Sequence, residues 1–380
     1  MLKLVSNPFR FADFSALTLF VLALGVATTL ALPAGAQSST VPPSSSSSSS
    51  SPGVTSTGPT SNTNSASSPT SNSNSQDQSV ETFKVGVDIV QLFFNVKDKH
   101  GALIPNLNKE NFDLFEDGQA QTIKYFKAES DLPLTLGILL DTSYSQFRVL
   151  DMEKEVGGSF LESALRAKDE AFIISFGTDI ELLQDFTSSV SRLKHALNEA
   201  KMNGAGVGCS GGPIGPQGPI PCSSTGPRGT ALYDAVFLAS HDELSHEVGR
   251  KAMILLTDGE DQGSKLKIRD AIEAAQKSDT ICYVLLIADR GITMGFGGGE
   301  MRKLTQETGG RVIEVGNKVD KLRQAFDQIS QELRSQYNVG YTPTNGNRDG
   351  SFRKVEIKPK QGEYKIQARS GYYATPRREE

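Results

Sequence analysis

A chain of 380 residues with a formal charge of −5 and no dense Lys/Arg tract excludes the electrostatic footprint of a nucleic-acid binder. It exceeds one average domain, but its first eighty residues do not have the pattern of folded protein, so about 300 remain for one or two domains with a real core.

Lys3 and Arg10 precede an apolar stretch from Ser15 to Leu32, and Pro33, Ala34, Gly35 and Ala36 then offer an A-x-A pattern before Gln37. This predicts an export signal over residues 1–36. A run of about 18 apolar residues would also serve as a short membrane anchor. No cysteine follows the run, which argues against a lipoprotein. Residues 37–80 are Ser, Thr, Pro and Asn with almost nothing apolar, the composition of a disordered linker.

Folded sequence begins near Val80. "VDIVQLFFNVKD" (87–98) has strand composition, and "FDLFEDGQAQTIKYF" (112–126) has two strand-like arms around Asp117-Gly118, a hairpin signal. At the far end "FRKVEIKPKQGEYKIQARSGYY" (352–373) alternates in the same way around Gln361-Gly362. Neither end suffices alone. Residues 81–130 and 338–375 are therefore expected to pair into one small β-sandwich-like domain, with residues 131–337 inserted between them.

The inserted segment alternates strands and helices. Strands are predicted at 134–140, 171–176, 180–186, 252–256, 281–287 and 311–315, with helical periodicity at 152–165, 231–244, 268–277 and 319–333. This is the pattern of an α/β domain: a doubly wound, mostly parallel six-stranded sheet of Rossmann-like type with helices on both faces. Only Gly177, Thr178 and Asp179 separate the second and third strands, too few for a parallel crossover, so that pair is expected to be an antiparallel hairpin at one edge.

In such a sheet, ligands bind at the carboxyl ends of the strands where strand order reverses. With the order 3-2-1-4-5-6, Asp141 ending the first strand ("LTLGILLDTSYS") and Asp258 ending the fourth ("AMILLTDGED") become neighbours. Ser143 and Ser145 lie on the loop leaving the first strand, and Thr230 ("GPRGTALYDAV") stands where the helix before the fourth strand begins. Two carboxylates and three hydroxyls form an all-oxygen set, suited to Mg²⁺, Mn²⁺ or Ca²⁺. Mg²⁺ is expected first.

Asp-x-Ser-x-Ser after a buried strand, Gly-Thr before a helix and Thr-Asp-Gly after the fourth strand together resemble the von Willebrand factor A (VWA) domain and its metal-ion-dependent adhesion site. The likeness covers roughly residues 132–336. It implies Asp141, Ser143 and Ser145 in the first ligand motif, Thr230 in the second and Asp258 in the third. The flanking segments are similar to those of the bacterial VWFA-related domain proteins of acidobacteria.

A Gly/Pro-rich insertion, residues 204–229, runs directly into Thr230. Its G-P-x triplets are too few for a collagen helix. Cys209 and Cys222 bracket them, and in an exported protein they are expected to form a disulfide. Tyr144, Cys209, Cys222 and Gly229 are the expected partner-selecting positions; a tolerated surface insertion is the equal alternative. Cys282, in "TICYVLLIA", reads as an inert core thiol, and His241 and His246 read as a solvated helix surface. "GFGGGE" (295–300) lacks the Lys-Ser/Thr of a phosphate cradle and is expected to be a mobile loop.

Two function classes follow. The favoured one is an exported, non-enzymatic module, periplasmic, envelope-bound or secreted, whose divalent cation clasps a carboxylate of a protein or surface polymer. The second is a metal-dependent hydrolase, for which Glu260 and Asp261 are the nearby candidate bases. A metal-independent envelope scaffold is a third reading. Partner identity and oligomeric state are not encoded in any motif.

Overall fold

The computed structural model describes residues 89–129, 131–203, 214–215, 218–219, 229–287 and 297–374. The chain divides into two units, Met1–Val80 and Glu81–Glu380. The first, with the expected signal and linker, lies outside the described residues, as do Cys209 and Cys222.

In chain order, the leading flank supplies β1 (Val90–Lys97), β2 (Phe112–Glu116), β3 (Gln119–Gln121) and β4 (Ile123–Glu129). Then come β5 (Leu134–Asp141), α1 (Leu150–Ala164), β6 (Glu170–Phe176), β7 (Ile180–Thr187) and α2 (Val190–Glu199). Two-residue strands β8 (Ile214–Gly215) and β9 (Gly218–Pro219) pair within the Gly/Pro-rich insertion. The second half follows with α3 (Leu232–Leu238), β10 (Arg250–Thr257), α4 (Ile268–Lys277), β11 (Thr280–Leu286), α5 (Gly297–Thr308), β12 (Val312–Glu314) and α6 (Val319–Arg334). The trailing flank gives β13 (Gln336–Tyr341), β14 (Phe352–Pro359), β15 (Lys365–Ala368) and β16 (Gly371–Tyr373).

The six-stranded sheet has the order β12-β11-β10-β5-β6-β7, which is 3-2-1-4-5-6 read from the other edge. All pairs are parallel except β6–β7, the expected edge hairpin. Every residue of β5 and of β10 is buried, as strands covered on both faces must be. Leu136, Ile138 and Leu140 of β5 pack with α1, α2 and α6, whereas Leu139 packs on the opposite face with α3, α4 and α5. This doubly wound arrangement brings the carboxyl ends of β5 and β10 side by side, with Leu140 opposite Leu256.

The two flanks interleave in a pair of antiparallel sheets, β15-β1-β13-β4 and β16-β14-β2-β3. Leu92, Phe94, Phe112, Leu114, Tyr337 and Val355 fill the space between them, with Phe94 edge-on to Phe112 at 5.4 Å between centroids. Glu116 ties the sheets together, accepting from Tyr341 of one (2.7 Å) and from Tyr372 of the other (2.9 Å). Asp117 and Gly118 both take positive φ (47° and 79°), as a tight two-residue turn requires. The arm after that turn differs from a simple hairpin. Only Gln119–Gln121 pairs with β2, and from Ile123 the chain crosses to the other sheet, so that Phe126 packs on Phe94, Phe112 and Tyr337.

Two helical expectations are corrected. Gly297–Glu300 of the "GFGGGE" run are the first turn of α5, not loop; that helix is anchored through buried Met301 and Leu304, and its first N–H groups need no intrahelical partner. The helix expected over 231–244 ends as α at Leu238 and widens into a π turn over Ala239–Glu243. His241 on that turn is exposed and stacks on Phe237 at 5.2 Å.

Glu332, near the end of α6 and 3% exposed, joins the α/β part to the flanking sheets. It accepts from Arg311 (2.7 Å), from Lys97 of β1 (2.9 Å) and from Gln367 of β15 (3.1 Å), while its carbonyl accepts from Asn95 (2.8 Å). Removing one member of a buried ion pair leaves uncompensated charge. Glu332→Ala is expected to lower stability by on the order of 3 kcal/mol in urea unfolding, and a loss below about 1 kcal/mol would show that water takes over the role.

Candidate metal site

Asp141 is the last residue of β5 and fully buried. Its two oxygens are held from different segments. Ser143 N donates to Oδ1 at 2.9 Å, which turns the chain sharply out of the strand. Thr257 Oγ1, at the end of β10, donates to Oδ2 at 2.6 Å and itself accepts from Gly259 N at 3.0 Å. Asp258, 5% exposed, follows and accepts from Glu260 N at 3.1 Å.

The hydroxyls stand on the same end of the sheet. Ser143 Oγ and Ser145 Oγ are 3.0 Å apart, the first buried and the second exposed, so the cluster opens to solvent on the Ser145 side. Thr230 is buried and fixed by its backbone between two neighbouring loops: Ala231 N donates to Gly177 O (2.8 Å) and Gln262 N donates to Thr230 O (3.1 Å). Gly177 is itself packed against the segment after α2, where a Cβ on it would meet Asn203 O at 2.8 Å. The five residues singled out from the sequence thus stand at the carboxyl end of the sheet, at the end of β5 and on the loop after it, just before α3 and just after β10. Of the partner-selecting positions, Tyr144 is exposed and stacked on exposed Phe147 at 6.2 Å, and Gly229 is half-buried beside Thr230.

The electrostatics are adverse without a counter-charge. Burial, together with the neighbouring Asp258, pushes the Asp141 carboxyl up to about 7, against the bonds from Ser143 and Thr257. Two residues went unnoticed in the sequence. Thr257 is the direct link between the two aspartate-bearing strands. Glu153, on the inner face of α1 and fully buried, is held well above the usual carboxylate range by burial and by Asp141 and Asp258. A carboxylate at a core phase of an otherwise apolar helix face, between Leu150 and Val156, was the legible signal.

The donor set fits a hard divalent cation: oxygen only, two buried acids pressed together, and neutral hydroxyls beside them. The bases considered for hydrolysis are placed otherwise. Asp261 accepts from Tyr233 N (3.2 Å) and Ser264 Oγ (2.5 Å) at the start of α3, and Glu260 accepts from Gln262 at 3.1 Å. Cys282 is buried, and burial pushes its thiol up to about 12, consistent with an inert core position.

A carboxyl raised above its unfolded value near 3.9 stabilises the fold while protonated and loses that contribution as pH rises toward its folded value. In chelator, the wild-type protein is therefore expected to lose stability relative to Asp141→Asn as pH rises from about 4 to about 7, in melting curves compared at each pH. A pH-independent difference between the two would contradict the repulsion.

No family model matches the chain, and no curated protein matches it. Among solved structures, a von Willebrand factor type A from Catenulispora acidiphila is 12% identical, with 77% of this chain and 74% of that chain covered and a TM-score of 0.42. BatB from Bacteroides thetaiotaomicron is 20% identical over 53% of this chain and 100% of that chain, TM-score 0.39. Proximal thread matrix protein 1 from the mussel byssus, with a zinc-occupied MIDAS motif, is 14% identical over 57% of this chain and 49% of that chain, TM-score 0.42. Likeness this distant carries nothing about activity, and the site stands on its own geometry. By its strand order, its edge hairpin and the end of the sheet at which its acids and hydroxyls gather, the inserted domain has the von Willebrand factor A type of fold.

Proposed function

We propose that this is an exported, non-enzymatic binding protein whose inserted domain holds a divalent cation, Mg²⁺ first among the candidates, and uses it to clasp an acidic group of a partner. The carrying observation is the buried pair Asp141 and Asp258 at the end of the sheet that also carries the hydroxyls of Ser143, Ser145 and Thr230, with Ser145 exposed to solvent.

A bound cation would supply the positive charge that the two aspartates lack and an electrophilic centre facing solvent. The chain's own residues do the rest. Asp141 is fixed by Ser143 N and Thr257 and can turn only limited charge toward the ion; the serine hydroxyls add none. A carboxylate from a partner is the natural complement to a centre so incompletely neutralised. Tyr144 and Phe147 flank the opening as exposed aromatic surface, suited to the apolar surroundings of such a carboxylate.

The signal-like segment and the polar linker in the sequence support export and display away from a surface, in periplasm, envelope or medium. Of the two bases considered for the hydrolase reading, Asp261 is engaged at the start of α3 and Glu260 accepts from Gln262. We assign no turnover to the site.

Titration calorimetry of Mg²⁺ and Mn²⁺ into wild type and Asp141→Ala tests the reading. Heat in the wild type that the substitution abolishes, with chelator-sensitive capture of a carboxylate-bearing envelope protein, is expected. Equal cation binding by both, or capture indifferent to chelator, would favour the metal-independent scaffold.

A further inference from the structure

Six carboxylates among the described residues are buried: Glu116, Asp141, Glu153, Asp169, Asp258 and Glu332. Five have donors. Glu116 has Tyr341, Tyr372 and Arg353; Asp141 has Ser143 and Thr257; Asp169 has Arg166 and Leu134 N; Asp258 has Glu260 N; Glu332 has Arg311 and Lys97. Glu153 has none on either oxygen, although it is 0% exposed. An unpaired buried carboxylate is costly enough that something must compensate it.

Its surroundings narrow the choice. Glu153 sits in the first turn of α1, the helix that leaves the Asp141–Ser145 loop, with its amide bonded to Val149 O at 3.0 Å. Its neighbours in phase, Leu150, Val156 and Phe160, are apolar and belong to the core under the sheet. The charges that act on it are Asp141 and Asp258, both of its own sign. In the same segment Gln146 is also buried, and its Oε1 likewise lacks a donor. What this corner lacks is positive charge and hydrogen-bond donors, and a hydrated divalent cation supplies both.

We propose that Glu153 is a third carboxylate of the cation site, a positioning residue that holds the ion from the α1 side by accepting hydrogen bonds from its bound water. The inference rests on the cation reading above. The indirect role follows from the spacing of the acids: among the described residues no three acidic, histidine or cysteine side chains stand close enough to grip one ion together. Water bridges are the usual way an outer carboxylate orients a metal's inner ligands.

The test is Mn²⁺ titrated by calorimetry into the full chain as wild type, Glu153→Gln and Glu153→Leu, with melting curves of each in chelator and in Mn²⁺. Glu153→Gln is expected to weaken Mn²⁺ by about tenfold or more, as loss of an outer-shell carboxylate does. The same variant should melt higher than wild type in chelator, because a buried carboxyl with no donor on either oxygen has gone, and gain less from Mn²⁺. Glu153→Leu should show the same two effects in the same direction, which covers the case in which the amide itself fails to pack. Affinity within about twofold of wild type in a folded variant would overturn the inference and leave a neutral buried acid. If wild type binds no Mn²⁺, the cation reading and this inference fall together; if it binds and the variants bind equally, only this inference falls.

Discussion

The end of β5 imposes the constraint from which the site follows. A strand covered on both faces has no polar edge to offer, so the carboxylate that ends it is delivered into the interior of the sheet's upper rim. Because β10 lies beside β5 in parallel register, a second carboxylate arrives at the same rim one residue beyond Thr257. Neither acid can retreat. Asp141 is fixed by two donors, and Asp258 by the turn it makes with Glu260 N. The fold thus gathers two acids at one rim, and among the described residues Tyr144 and Ser145 beside them are exposed to solvent. Such an arrangement costs stability in isolation, and a bound cation would offset that cost and so couple occupancy of the proposed site to stability of the domain.

The flanking sheets serve that domain from its other side. Their contacts reach α6 and the turns around Asp279 and Gly309, through Lys97, Gln367 and Arg369. The leading and trailing flanks both enter these contacts, so the segments that bound the inserted domain in sequence are fastened to it and to one another. Glu332 concentrates the effect, since one carboxylate meets cations from β1 and from the segment before β12. The site crevice, at the carboxyl ends of β5 and β10, is free of these contacts among the described residues.

Much of this was legible in the sequence because it rests on local patterns with few alternatives. The apolar runs at 134–140, broken only by Thr135, and at 252–256 specify strands buried on both faces, and the three-residue gap after Phe176 forces an antiparallel turn. Asp141, Ser143, Ser145 and Asp258 were found because each sits at a strand end that the topology must bring together. The rest depended on tertiary placement. Glu153 looks like any helical glutamate until its phase is set against Leu150 and Val156, and Thr257 matters only through its bond to Asp141. The crossing of the chain between sheets at Thr122 had no turn residue to announce it; Phe126 decides it by packing across the sandwich. Glycines 297–299 read as loop by composition, but burial of Met301 and Leu304 one turn later carries the helix back through them.

Anomalous diffraction from crystals of the protein soaked in MnCl₂ addresses the central claim most directly. One manganese peak in the crevice, within ligand reach of Asp141, Ser143 and Ser145 and on the side facing Asp258, is the predicted result. A crevice empty of manganese at saturating ion, or manganese bound only elsewhere on the surface, would contradict a cation site at the switch point of the sheet.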